Sequence, residues 1–86
     1  MKKTELYRHL IDIAAKLEIR VSEQNLQVTK INAKSGLCQV KGEYVFIMDK
    51  KLPLSEKIDV LADCLKAKSL DDIYIVPAVR EFMDIS

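Results

Sequence analysis

Two short apolar segments on either side of Gly42 and Glu43 constrain this sequence more than any other feature. Residues 37–41 and 44–48 each have the length of a β-strand. A two-residue loop that begins with glycine predicts a hairpin with a type II′ turn, because the first central position of that turn requires a positive φ. The sequence therefore predicts an antiparallel hairpin in the middle of the chain.

The two faces of this hairpin differ in composition. The predicted register pairs Val40 with Val45, so one face is entirely apolar and consists of Cys38, Val40, Val45 and Ile47. The other face, the mixed face, combines polar with large apolar side chains: Leu37, Gln39, Lys41, Tyr44, Phe46 and Met48. Residues 44–48 are apolar on both sides, which is typical of a strand that is covered on both faces.

Apolar stripes at helical spacing predict helices before and after the hairpin. The first helix spans about residues 4–17 with Thr4 as its N-cap, and its stripe consists of Leu6, Leu10, Ile13, Ala14 and Leu17. The second helix has Ser55 as its N-cap, ends near Lys68 and has a stripe of Ile58, Leu61, Ala62 and Leu65. A last helix begins at Pro77, because proline favours the first helical position, and directs Val79, Phe82 and Met83 inward.

Two further strands and one irregular segment complete the predicted order of elements. Alternating polar and apolar residues predict a strand at residues 18–22, and a less regular pattern predicts another at 26–31. The segment 70–76 is predicted to be extended or a single turn, since Val76 precedes a proline and is disfavoured in the helical region.

These elements predict a single domain, residues 1–86, of the α+β class. We expect a small antiparallel sheet of three to four strands, with a central hairpin at residues 37–48, packed with N-terminal, middle and C-terminal helices. The stripe of the second helix and the all-apolar hairpin face are close in sequence and each needs a partner. We therefore expect these two surfaces to pack together.

The mixed face is the candidate interaction surface. A second apolar row on the first helix, Tyr7 and Ile11, is one candidate to cover it, but a chain this small has little material for both sheet faces. Aromatic and methionine side chains with a polar rim are typical of contacts between proteins. We therefore predict that the partner is a second copy in a two-fold homodimer, or another protein, and that the surface comprises Leu37, Gln39, Lys41, Tyr44, Phe46 and Met48.

Charge and hydropathy argue against two other classes of partner. With 14 Lys and Arg against 13 Asp and Glu, the net charge is +1, and the basic residues are not clustered as nucleic-acid binding requires. No apolar run approaches the roughly 20 residues that span a bilayer. Charged residues such as Glu5 and Arg8 interrupt what would otherwise begin a secretory signal. We therefore expect a cytoplasmic protein that binds neither nucleic acid nor membranes.

Residues suited to catalysis or metal binding are scarce. His9, Cys38 and Cys64 come from separate predicted elements and fall short of the roughly four ligands of a zinc site. We expect His9 to be solvated and both cysteines to be reduced and packed as small apolar groups. Cys64 is the candidate for a thiol-dependent function, but its position near a helix C-terminus disfavours the thiolate. The sequence predicts no catalytic residue, no metal and no cofactor.

Residues 44–67 resemble the strand–loop–helix core of the IrrE/ImmA-type zincin metallopeptidases. The resemblance rests on Asp49-Lys50-Lys51-Leu52, which is similar to the Asn/Asp-x-x-Leu turn of that family, and on Leu61-Ala62-Asp63-Cys64-Leu65, which follows its Leu-Ala-His-Glu-Leu frame. Asp63 and Ala67 stand where that family has zinc-binding histidines, and Cys64 where it has the general-base glutamate. Without these groups nothing holds zinc or deprotonates its water, so the resemblance implies a scaffold without peptidase chemistry.

Three functional hypotheses follow. The leading one is a small non-catalytic interaction or subunit module. The alternatives are a metal-free zincin-like sensor or adaptor, which the resemblance implies, and a thiol-dependent protein that uses Cys64. The chain as a whole also resembles small conserved bacterial proteins, from which no particular activity follows.

Overall fold

The computed structural model describes residues 1–25 and 36–83, which form three helices and one three-stranded sheet. In chain order the elements are α1 (Lys3–Lys16), β1 (Ile19–Gln24), β2 (Gly36–Val40), β3 (Glu43–Asp49), α2 (Leu54–Lys66) and α3 (Pro77–Met83). The predicted α+β class is confirmed. The strand predicted at residues 26–31 lies outside the described residues.

The sheet has the strand order β1-β3-β2 and is mixed. β2 and β3 are antiparallel as predicted, whereas β1 runs parallel to β3, from the pair Ile19–Tyr44 to the pair Gln24–Asp49. The expectation of a wholly antiparallel sheet is therefore wrong. A parallel pair is feasible because residues 25–42 exceed the dozen or so residues that a parallel connection requires.

The hairpin between β2 and β3 turns at Lys41 and Gly42, one residue earlier than predicted. Lys41 has φ 52° and Gly42 has φ 83°, and two positive values identify a type I′ turn rather than type II′. Val40 consequently pairs with Glu43 instead of Val45. Since side chains alternate with a period of two, this two-residue shift leaves every paired side chain on its predicted face. Lys41, predicted to lie opposite Tyr44 on the mixed face, is instead a turn residue, and Gln39 pairs with Tyr44.

Both long helices begin before their predicted caps. The N-cap positions are occupied by Lys2 and Pro53 rather than Thr4 and Ser55, and neither has a side-chain cap hydrogen bond in the described structure. The backbone carbonyls of these two residues accept the first helical hydrogen bonds instead, for example from the Leu6 N–H at 2.9 Å. Main-chain geometry thus starts each helix without a capping side chain.

The C-terminal part of the chain follows the prediction except at one side chain. Residues 67–76 are not helical, and the Ile73 N–H closes a single turn on the Leu70 carbonyl at 3.2 Å. α3 begins at Pro77 as predicted and buries Val79 and Met83. Phe82 is 41% exposed, which corrects the expectation that it points inward; it lies beside the i, i+4 row that faces the core.

One cluster of buried side chains fills the space between the helices and a single face of the sheet. The sheet contributes Ile19, Phe46 and Met48, and the helices contribute Leu10, Ile13, Ala14, Ile58, Leu61, Ala62, Leu65, Val79 and Met83. Within this layer α1 contacts α2 and β1, and α2 contacts β3. The fold therefore has one helix layer on one side of a sheet.

The face that α2 covers is the opposite of the one predicted. Its stripe packs with Phe46 and Met48 of the mixed face, not with the face that contains Cys38, Val40, Val45 and Ile47. Val45 is only 6% exposed but lies outside the helix-side cluster. Phe46 and Met48 are larger than the apolar residues of the other face, so burying them removes more apolar area from water.

Candidate functional site

The predicted interaction surface is divided between the core and the surface of the molecule. Phe46 is 3% exposed and Met48 is 0% exposed, and both are packed in the helix-side cluster. They face the chain's own helices, which corrects the expectation that they face a partner. The helices reach this part of the mixed face because both residues lie towards the middle and C-terminal end of β3.

The other four residues of the prediction form what we call the hairpin surface: Leu37, Gln39, Lys41 and Tyr44. Leu37 is half-buried against the core cluster, whereas Gln39, Lys41 and Tyr44 are exposed. Gln39 pairs with Tyr44 in the β2–β3 ladder. The ammonium of Lys68, just beyond α2, lies 5.1 Å from the centroid of the Tyr44 ring, an arrangement that favours a cation–π interaction. The hairpin surface is thus anchored to the helix layer.

β2 forms one edge of the sheet. Within residues 1–25 and 36–83 no strand lies beyond it, and no backbone hydrogen bond joins β2 to a described residue outside the β2–β3 ladder. Its five residues, Gly36–Val40, include no charged residue and no proline, which are the groups that commonly protect edge strands from pairing. Cys38 is exposed and Val40 is 50% exposed on the side away from the helices. This edge is chemically suited to accept another strand.

The other edge strand, β1, differs in this respect. It carries Arg20, which is exposed, and Glu23, which forms an ion pair with Lys57 of α2. Charged side chains on an edge oppose strand addition because they must be desolvated when a partner approaches. The two edges of the sheet in the described ranges are therefore not equivalent, and β2 is the one without charged side chains.

An open groove of about 570 Å³ lies at the turn end of the sheet and is lined by Ala15, Glu18, Ile19, Arg20, Gly42, Glu43 and Tyr44. Its charged side chains are of both signs, and Tyr44 connects it to the hairpin surface. Glu18 follows the end of α1 with φ 62°, a left-handed conformation that favours glycine. The groove lining has carboxylates and a guanidinium but no thiol or imidazole.

Three titratable side chains meet at the opposite end of the sheet, where β1 and β3 terminate. Glu23 forms its ion pair with Lys57 there, beside Tyr7 of α1. Burial raises the pKa of Tyr7 to about 12, with further contributions from the negative charge and the hydrogen-bonding capacity of the Glu23 carboxylate. The buried hydroxyl has no well-formed hydrogen bond to any described residue. At neutral pH this cluster holds a neutral phenol that connects α1, β1 and α2.

Sequence patterns could not identify this cluster, because Tyr7, Glu23 and Lys57 are far apart in the chain. The predicted strand, residues 18–22, ends before Glu23. In the structure β1 continues to Gln24, and alternation then places Glu23 on the same face as Ile19 and Val21. A carboxylate on a face that is otherwise apolar requires a cationic or hydrogen-bonding partner. Lys57 is that partner.

The remaining candidates are not brought together. His9 is half-buried rather than solvated, and lines a cavity of about 210 Å³ with Asp12, Lys16 and Tyr74 among others. Both cysteines are free thiols. No group of three His, Cys, Asp or Glu side chains in the described ranges is arranged to hold a metal ion.

The positions that correspond to zincin chemistry lie along α2 and just beyond it. Asp63 and Ala67 are exposed, and Cys64 is half-buried against the core. Burial raises the pKa of the Cys64 thiol, and the opposing effect of Lys68 is smaller. The thiol is therefore less ionised at neutral pH than an ordinary cysteine.

Comparisons with protein-family models, with curated proteins and with solved structures gave no match. None of the helices in the described ranges is long and apolar enough to cross a membrane.

Proposed function

We propose that this chain is a small non-catalytic interaction module that forms a homodimer by pairing the outer edge of β2 with β2 of a second copy. The observation that supports this proposal is the edge itself, a five-residue strand without charge or proline at the side of the sheet. An unpaired strand edge presents a row of backbone donors and acceptors that another strand can satisfy.

The side chains around the edge favour a protein partner. Val40 is a large aliphatic residue that is 50% exposed, and Tyr44 is 43% exposed on the other face of the hairpin. Gln39 and Lys41 provide a polar rim. An exposed aromatic and aliphatic centre with a polar rim is the usual composition of a protein interface.

A second copy of the chain is the simplest partner for this edge, because the same surface serves both copies in a two-fold dimer. The resulting sheet would have six strands, with β2 of each copy at its centre and the helix layers on one side. The resemblance to a zincin core without zinc ligands implies a sensor or adaptor role, and a non-catalytic interaction module is compatible with that role.

Sedimentation equilibrium at about 100 μM, far above the Kd of a specific dimer, tests the proposal. We expect a dimer for the wild type and a monomer for Gln39→Pro, since proline removes an outward N–H and is tolerated on an edge strand. Gln39→Thr changes the same side chain but keeps the N–H, and should remain a dimer. Circular dichroism checks that both variants are folded.

A wild type that is monomeric at this concentration contradicts the proposal. So does a dimer that Gln39→Pro leaves intact, because its interface would then lie elsewhere. If Gln39→Pro unfolds, Cys38→Lys provides a second test, since Cys38 is exposed and a lysine on the strand edge opposes strand addition without removing core packing.

A further inference from the structure

We infer that the two copies of β2 pair about a two-fold axis that passes between Cys38 and Cys38 of the second copy. This inference rests on the proposed function and specifies the contact that the edge would make. In the inferred register each Val40 lies opposite Gly36 of the second copy, and each Leu37 lies opposite Gln39 of the second copy.

The hairpin turn determines which backbone groups of β2 point outward. The Lys41–Gly42 turn closes on the pair Val40–Glu43, and a two-residue turn closes on a pair that exchanges both of its backbone hydrogen bonds. Such pairs alternate along an antiparallel ladder with pairs that do not. The N–H and C=O groups of Leu37 and Gln39 are therefore directed away from β3, towards a second strand.

Two-fold symmetry restricts the possible registers. In a symmetric antiparallel pair the axis passes beside a residue that faces its own copy. β2 spans Gly36–Val40, so an axis at its middle residue, Cys38, pairs the whole strand, whereas an axis at Leu37 or Gln39 pairs only part of it. The axis at Cys38 also pairs Leu37 with Gln39, so that the outward backbone groups of one copy meet those of the other.

The side chains are compatible with this register on both faces of the sheet. On the face away from the helices, the exposed Val40 approaches Gly36 of the second copy, which has no side chain of its own. On the other face, Leu37 and Gln39 face each other across the axis. Every one of these pairs is uncharged, so the like-charge repulsion that destabilises directly opposed residues does not arise.

The inferred register places the two Cys38 residues directly opposite each other. Cys38 belongs to a pair without mutual backbone hydrogen bonds in the new ladder, and such pairs have Cα atoms about 4.5 Å apart. That separation is within the range of about 4.4–6.8 Å that a disulfide spans. Disulfide formation between the two Cys38 residues therefore indicates that the two-fold axis passes between them.

Oxidative cross-linking tests the register. Cys64→Ala leaves Cys38 as the sole thiol, and a copper–phenanthroline catalyst lets dioxygen accept the two electrons and two protons released when two Cys38 thiols form one disulfide. We expect cross-linking at least tenfold faster than in the Cys64→Ala/Gln39→Pro variant, which measures random collision. Reduction with dithiothreitol should restore the monomer on a denaturing gel.

Single cysteines at the neighbouring positions distinguish the registers. In a Cys38→Ser/Cys64→Ala background, Leu37→Cys and Gln39→Cys should cross-link faster when mixed than either variant does alone, because each faces the other. Rapid cross-linking of Leu37→Cys or of Gln39→Cys alone would move the axis by one residue and overturn this inference while leaving the proposed dimer intact. A dimer that cross-links at none of the three positions would overturn both.

Discussion

Glu23 of β1 and Lys57 of α2 form an ion pair that joins the sheet to the helix layer. Glu23 lies opposite Met48 in the parallel ladder, so the pair closes the core at the end where both strands stop. The side chain of Lys57 is 15% exposed and that of Glu23 is 39% exposed, which leaves the carboxylate in contact with water. The link is therefore a partly screened interaction at the rim of the core.

Replacing Lys57 with methionine should lower the free energy of unfolding by about 0.5–1 kcal/mol, because methionine keeps the apolar stem but removes the charge. The loss should shrink in concentrated salt, which screens the partly exposed pair. Urea titration of Lys57→Met, Glu23→Gln and the double variant measures the coupling. Additive single effects would show that the pair contributes nothing.

The raised pKa of Tyr7 predicts a loss of stability at high pH. Below the ordinary tyrosine pKa of 10.0, both folded and unfolded chains keep the proton; between 10.0 and about 12, the unfolded chain releases it and the folded chain does not. The free energy of unfolding should therefore fall as pH rises through this interval. Tyr7→Phe should make this fall shallower, as followed by urea titration.

At neutral pH the same substitution should change stability by no more than about 1 kcal/mol, since the hydroxyl that it removes is buried without a well-formed hydrogen bond. Tyr74→Phe is the matched control, because the Tyr74 side chain is 73% exposed. Removing its hydroxyl should leave the fall in the free energy of unfolding at high pH unchanged. A large destabilisation by Tyr7→Phe at neutral pH would mean that the hydroxyl has a strong partner in solution.

Leu61→Ala should lower the free energy of unfolding by about 2–5 kcal/mol, because the side chain is fully buried in the core cluster and its removal leaves a cavity. Asp63→Ala, on the exposed side of the same helix, should change it by less than about 0.5 kcal/mol. Denaturant titration of both variants measures the difference. Equal effects would mean that α2 is rotated about its axis relative to the structure.

Glu18→Gly should raise the free energy of unfolding by about 1 kcal/mol, since Glu18 has φ 62° and glycine adopts this conformation without the steric cost that other residues pay. Glu18→Ala also removes the negative charge beside the C-terminus of α1 but keeps the side-chain clash. Thermal denaturation should therefore rank Gly above Ala. The reverse order would show that charge, not backbone conformation, governs this position.

Local patterns predicted the parts of the fold that depend on periodicity. The stripe from Ile58 to Leu65 is buried as expected, and the alternation in β2 and β3 predicts the correct face for every residue of their ladder. The predicted turn differs from the observed one by one residue, because a lysine with positive φ is uncommon and the pattern therefore favours glycine at the first rather than the second central position.

Periodicity could not tell which element covers which face. A strand that is apolar on both sides, such as β3, shows that both faces are buried but not by what. The choice between them depends on the whole chain, and the helices cover Phe46 and Met48. The parallel pairing of β1 with β3 is likewise a property of the chain path. Because the helices cover Phe46 and Met48, only the exposed part of the predicted surface, around Gln39 and Tyr44, belongs to the proposed site.

β3 pairs with one strand that is close in sequence, β2, and with one that is distant in sequence, β1, and this difference affects the order in which the sheet forms. β3 meets β2 across a two-residue turn, whereas Ile19 must find Tyr44 from far along the chain. Closing a long loop costs more entropy and slows folding. We therefore expect the hairpin to form first and β1 to dock last, and hydrogen exchange to show the amides of β1 opening before those of the hairpin.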